Sequence, residues 1–109
     1  ISLGLVGSEM CIRDRLREVV SLGFEVIFTR VAGYPLKKDL LGRRLDERVI
    51  EYLERVRQYV SPSGEGGEYE TLVLDMPLFR KRLRVVECEA VGEDYDATLI
   101  IRRAELVGK

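Results

Sequence analysis

The chain contains no histidine among its 109 residues, which removes the usual general base at neutral pH and the commonest metal ligand. It has two cysteines, Cys11 and Cys88. They lie far apart, form no CxxC pair and build no disulfide framework, so a reducing, cytoplasmic setting fits best. No apolar run approaches about 18 residues, so no membrane-spanning helix is expected. An excess of charge of one sign is also lacking. Eighteen basic residues face 19 acidic ones, a net charge of -1, which predicts neither a nucleic-acid-binding nor a membrane-surface protein. The length bounds the chain to one small domain.

The first fifteen residues show no clear helical or strand period, and they lack the basic start and long apolar core of a signal peptide. Residues 5–15, LVGSEMCIRDR, closely resemble the translation of a transposase-type sequencing adaptor. Residues 1–15 are accordingly set aside as an expected artefact, and residues 16–109 are taken as the protein proper. An adaptor joined inside a reading frame implies a C-terminal fragment whose N-terminal part is missing. Cys88 is then the only native cysteine.

What is present reads as an α/β pattern. Residues 16–23 look like the end of an amphipathic helix stopped by Gly23. Residues 24–31, FEVIFTRV, are rich in aromatic and β-branched types and read as a buried strand. Helix, glycine and apolar strand together suggest the joint of a parallel α/β sheet. Residues 32–35 then form a loop at the carboxyl end of that strand, the edge where ligands gather in open α/β sheets. Residues 35–42 suggest a helical turn opened by Pro35 and closed by Gly42. Arg43 and Arg44 follow, a pair able to hold phosphate or carboxylate bidentately or to form a solvated face.

Residues 45–60 give the clearest helix, with Leu45, Val49, Tyr52, Leu53, Val56 and Val60 on one face and Asp46 as N-cap. Its expected role is structural. Residues 83–91 and 97–106 predict an antiparallel hairpin around a tip at 92–96. Cys88 is expected in the core beside Val86 and Ala90.

Between that helix and the hairpin lies Gly64-Glu65-Gly66-Gly67-Glu68-Tyr69-Glu70-Thr71, running into Leu72-Val73-Leu74-Asp75-Met76-Pro77-Leu78-Phe79. Three glycines in four positions permit positive φ and close approach to a ligand. From Glu68 onward the chain should be extended. Alternation then puts Glu68, Glu70, Leu72 and Leu74 on one side and Tyr69, Thr71, Val73 and Asp75 on the other. Same-face neighbours stand roughly 6–7 Å apart, so Glu68 and Glu70 could hold a cationic or amide-bearing group. Taken alone, these carboxylates admit four readings: oxygen ligands for Mg²⁺, an acid/base pair, a recognition loop for a cation, or a solvated turn.

The sixteen-residue run from Gly64 to Phe79 resembles the signature of the diphthine–ammonia ligase family in its archaeal form. Leu41-Gly42-Arg43-Arg44-Leu45-Asp46 is similar to that family's Leu-Gly-Arg segment before a helix, and the resemblance extends over residues 16–109. It implies the C-terminal part of a parallel-sheet, HUP-like (PP-loop ATPase) fold, with a β-rich substrate-binding portion ending in an antiparallel hairpin. It implies ATP-dependent amidation of diphthine, a modified histidine on translation elongation factor 2, with ammonium as the nitrogen source. ATP, with Mg²⁺ as a companion ion, would be bound by a missing N-terminal part through a Ser-Gly-Gly-Lys-Asp-Ser loop. No such loop occurs in this sequence, so the chain is expected to be inactive alone, with no catalytic residue of its own. The resemblance assigns Glu65, Gly66, Gly67 and Glu68 to the diphthine side chain, with Tyr69, Glu70 and Thr71 adjoining and Arg43 as a further contact. Diphthine carries a quaternary ammonium, which carboxylates and Tyr69 would attract by charge and cation–π contact. Two rival readings stand beside this one: a related PP-loop ATPase acting on a substrate such as tRNA, for which a basic face would be expected, and a non-enzymatic interaction module.

Overall fold

The computed structural model describes residues 12–56 and 69–109, with side chains from Leu16 onward. Helix α1 spans Ile12–Ser21 and strand β1 spans Glu25–Ala32. A 3-10 turn at Lys38–Leu40 leads to helix α2, Glu47–Arg55, and the chain closes with strands β2 (Tyr69–Asp75), β3 (Lys81–Glu93) and β4 (Asp96–Gly108).

Gly23 ends α1 as its position suggests. At φ +90° it turns the chain so that its own amide donates to the Val20 carbonyl and the Phe24 amide to that of Val19. Those two bonds form a Schellman motif and satisfy carbonyls the helix end leaves open. Helix α2 begins where Asp46 accepts a hydrogen bond from the Val49 amide at 2.9 Å. Glu47 in its first turn and Arg55 in its last complement the helix dipole. Val56 closes it, so within the described residues the helix is shorter than the 45–60 periodicity suggests. The two helices pack side by side, and the Arg17 guanidinium pairs with the Glu47 carboxylate.

The four strands form one sheet in the order β2-β1-β4-β3, and every pairing is antiparallel. This corrects the parallel sheet expected from the helix–glycine–strand pattern; the HUP-like arrangement is not seen among the described residues. The reason lies in residues 42–45. They run back along β1 as a short antiparallel rung, with the Gly42 amide donating to Phe28, the Phe28 amide to Arg43 and the Leu45 amide to Val26. The chain is thus back at the amino end of β1 before α2 starts. Helix α2 then carries it to the carboxyl end, where Tyr52 Oη donates to the Pro35 carbonyl at 3.0 Å. Strand β2 enters from that side and is therefore antiparallel. An apolar strand reports burial on both faces, not direction.

A β-bulge between Phe28 and Arg30 on the β2 side shifts the alternation of β1 by one residue. Val26, Phe28 and Val31 can therefore all join the helix-side core, with Leu16, Leu36, Leu40, Leu45, Val49, Ile50 and Leu53. Strand β2 alternates as its sequence indicates: Tyr69 and Val73 join this core, while Leu72 and Leu74 pack on the opposite side with Ile27 and Leu99. Pro35 opens no helix; it sits in the loop before the 3-10 turn. The hairpin is longer than the sequence suggests, and its tip shrinks to Asp94 and Tyr95 because Glu93 still pairs with Asp96. Cys88 is exposed and free, against the core position expected for it. Register shifts on both sides of Glu87 break the alternation that the reading assumed.

Candidate functional site

One end of the sheet gathers the loop after β1, the start of β2 and the hairpin tip. Val31 pairs with Tyr69 and Ala32 with Asp96, so the carboxyl end of β1, the start of β2 and the hairpin tip meet there. The loop at 33–37 leaves from the same place. The Gly33 amide donates to the Tyr95 carbonyl at 2.6 Å and the Lys38 amide to the Asp94 carbonyl at 2.7 Å. Lys38 Nζ reaches the Gly92 carbonyl at 3.1 Å. Arg30 fixes the hairpin from β1, donating to Thr98 Oγ1 at 2.8 Å and to Asp96 Oδ1 at 2.9 Å. The tip is therefore a braced part of this end of the molecule.

A cleft of about 640 Å³ opens beside this junction. Among the described residues its cations are Lys37, Arg43, Arg48 and Arg55, and its one lining carboxylate is Asp39. Three tyrosines, Tyr34, Tyr52 and Tyr95, complete the polar wall. Tyr34 and Tyr95 stand edge to face with ring centroids 5.2 Å apart, and both are exposed. Arg48, Tyr52 and Arg55 reach the cleft together because positions i, i+4 and i+7 fall on one side of a helix. The buried positions Val49, Ile50 and Leu53 anchor α2 to the core. Arg43 arrives from the rung beside Phe28, so its backbone is held by the sheet. Among the described residues, no ion pair engages these four cations.

The residues singled out from the sequence are distributed as follows. Glu65, Gly66, Gly67 and Glu68 lie outside the described residues. Tyr69 is 4% exposed and packs edge to face against Phe28 at 5.2 Å, so its ring belongs to the core. Glu70 is exposed on β2 opposite Arg30, and Thr71 is half-buried opposite Phe28. Arg43 is exposed in the cleft. Sequence reasoning missed Lys37, Arg48, Arg55, Tyr34 and Tyr95, having given the α2 segment a purely structural role. The signal was present in α2 itself, whose Arg48-x3-Tyr52-x2-Arg55 spacing forms a basic stripe.

Among the described residues no cluster of three carboxylate or cysteine side chains is arranged to hold a metal ion, and no helix is long and apolar enough to cross a membrane. The start of α2, where a phosphate could sit, is occupied by the Asp46 carboxylate.

Comparison with known proteins agrees with the resemblance carried by residues 64–79. The family described as Diphthamide synthase C-terminal domain matches residues 12–107. A diphthine–ammonia ligase from Rattus norvegicus is 41% identical over 97 residues, covering 87% of this chain and 36% of the relative. The Homo sapiens protein of the same name is 41% identical over 86 residues, 77% of this chain and 32% of its own length. One from Schizosaccharomyces pombe is 42% identical over 77 residues, 70% of this chain and 13% of its own. The chain thus spans about a third of the mammalian relatives it matches. With residues 12–107 accounted for in this way, the chain belongs to the diphthamide synthase C-terminal domain family.

Proposed function

We propose that the chain is the substrate-recognising part of a cytoplasmic, ATP-dependent ligase that converts diphthine on translation elongation factor 2 to its amide, with ammonium as co-substrate. The observation that carries this reading is the family match over residues 12–107, to relatives named for that reaction. The geometry supports it. Tyr69, the first described residue after the Glu65–Glu68 stretch, pairs with Val31 at the carboxyl end of β1, the sheet end on which the cleft opens. In this reading Glu65, Glu68 and Glu70 attract the quaternary ammonium of diphthine by charge. Because the Tyr69 ring is turned into the core, cation–π contact falls to the exposed Tyr34 and Tyr95. Gly66 and Gly67 allow the backbone to approach the side chain, Thr71 supports the loop from β2, and Arg43 orients the carboxylate to be amidated. ATP, held outside this chain, would supply the activation of that carboxylate. The task of these residues is to bind and orient.

The test is Glu68→Ala in a protein that joins this chain to a complete ATP-binding part. Diphthamide on elongation factor 2, read by mass spectrometry, should be lost while ATP binding is retained. Undiminished modification by the variant would remove the loop from the substrate site.

A further inference from the structure

We infer that the outer edge of β3 is a self-association surface, on which a second copy of this chain lays its own β3 antiparallel about a two-fold axis at Glu87. This goes beyond the ligase reading and does not depend on it. β3 ends the strand order β2-β1-β4-β3, so its outer backbone groups pair with no strand among the described residues. Near the tip the Gly92 carbonyl is taken by Lys38 Nζ, so the open stretch is the one before it. Solitary edges are kept short, broken by proline, or charged so that a neighbour is repelled. β3 runs for 13 residues without proline, against a usual strand length of about 5–6, and Val91 on it is 44% exposed. Its charge is segregated. Lys81, Arg82 and Arg84 occupy the amino-terminal half with no carboxylate, and Glu87, Glu89 and Glu93 occupy the other half with no cation. Antiparallel pairing of two copies sets each basic half against an acidic half, whereas parallel pairing sets like against like. A two-fold at Glu87 places Lys81 opposite Glu93 and Leu83 opposite Val91. Among the described residues no ion pair engages Lys81 or Glu93. The irregular pairing around Glu87 falls on the axis itself and leaves the flanking segments regular. The other edge strand, β2, carries only acidic charge, Glu70 and Asp75, so it repels its own copy. Charge therefore selects β3 and an isologous contact that continues one sheet through both copies.

The experiment is analytical ultracentrifugation. At about 100 μM the 109-residue chain should sediment at twice the monomer mass of 12.5 kDa and dissociate on dilution, as expected for a contact of modest area. Lys81→Glu and Glu93→Lys should each weaken the dimer about tenfold, because each puts like charges opposite one another twice. The two together should restore it. Glu87→Gln should tighten it about threefold, since it removes the like-charge contact at the axis. In a Cys11→Ser background, a bismaleimide with a spacer of about 8 Å should join two copies through Cys88, whose diagonal separation across the axis is of that size. Circular dichroism melts establish that each variant is folded. The inference is overturned by a monomer mass up to about 1 mM, by a double variant that associates no better than either single one, or by weakening on Glu87→Gln. A longer protein that carries the remaining portion of the matched relatives' length should form the same Cys88 crosslink. If it stays monomeric, that portion covers β3 and the inference fails. None of these outcomes bears on the loop at Glu68, whose test reads diphthamide formation.

Discussion

Gly92 is the residue on which the hairpin tip turns. It holds φ +124°, a conformation side chains with a Cβ rarely adopt. A Cβ there would lie 2.7 Å from Ala97 Cα and closer still to the Asp96 carbonyl oxygen. The neighbour in the way is backbone, which cannot swing aside, and the Gly92 carbonyl also accepts from Lys38. Gly92→Ala should lower stability by about 1–3 kcal/mol, the usual cost of forcing a residue into such a region, measured as a shift in the urea midpoint. An unchanged midpoint would show that the tip rearranges without loss. The sequence marks Gly92 as a turn residue but hides its crowding, which arises only when β4 lies across it. Cys88 was hidden in the same way. Its apolar neighbours suggest a buried strand face, but the irregular pairing around Glu87 cannot be seen without the partner strand.

Among the elements, α2 was the most legible. Asp46 announces itself as a cap because a short acidic side chain precedes an apolar period, and it does accept the Val49 amide. Asp46→Ala should cost about 1 kcal/mol, read from chemical denaturation; Asp46→Ser should recover most of it, which a purely electrostatic role would not allow. Less legible was the closure at the far end of the sheet, since it joins residues 34 positions apart. Lys109 Nζ reaches Asp75 Oδ1 at 2.8 Å and also donates to the carbonyls of Met76 and Phe79 at 2.9 and 3.0 Å, tying the end of β4 to the turn after β2. The hydrogen bond from Lys109 is the main reason the Asp75 carboxyl titrates below its usual value. A depressed carboxylate stabilises the fold fully above its unfolded pKa, about 3.9. That contribution fades as pH falls through the lower folded value. The stability gap between the unaltered chain and Asp75→Asn should therefore be largest at neutral pH and close in acid below about pH 4. A gap independent of pH would show that Asp75 acts by shape alone.

At the scale of the whole molecule, strand content and the terminal hairpin could be read from alternation, but sheet direction could not. Direction was decided by the 42–45 rung, four residues too short to register as a strand in the sequence. The result is a sheet whose two faces are unequally covered. The helix side buries Phe28, Val31, Leu36 and Leu53 completely, while the other side holds a small cluster of Ile27, Leu74 and Leu99. The candidate site lies at one end of this sheet, where the described residues gather cations and tyrosines. Among the described residues no cluster of carboxylates or cysteines is arranged to hold a metal ion, and histidine is absent from the sequence. Under the proposed function, this chain would bind and orient while activation would fall to the two thirds of the relatives' length outside the aligned region. The 109-residue chain, incubated with diphthine-bearing elongation factor 2, ATP and ammonium, should therefore produce no diphthamide by mass spectrometry. A longer protein that includes the remaining portion should produce it under the same conditions. Turnover by the 109-residue chain alone would overturn that division.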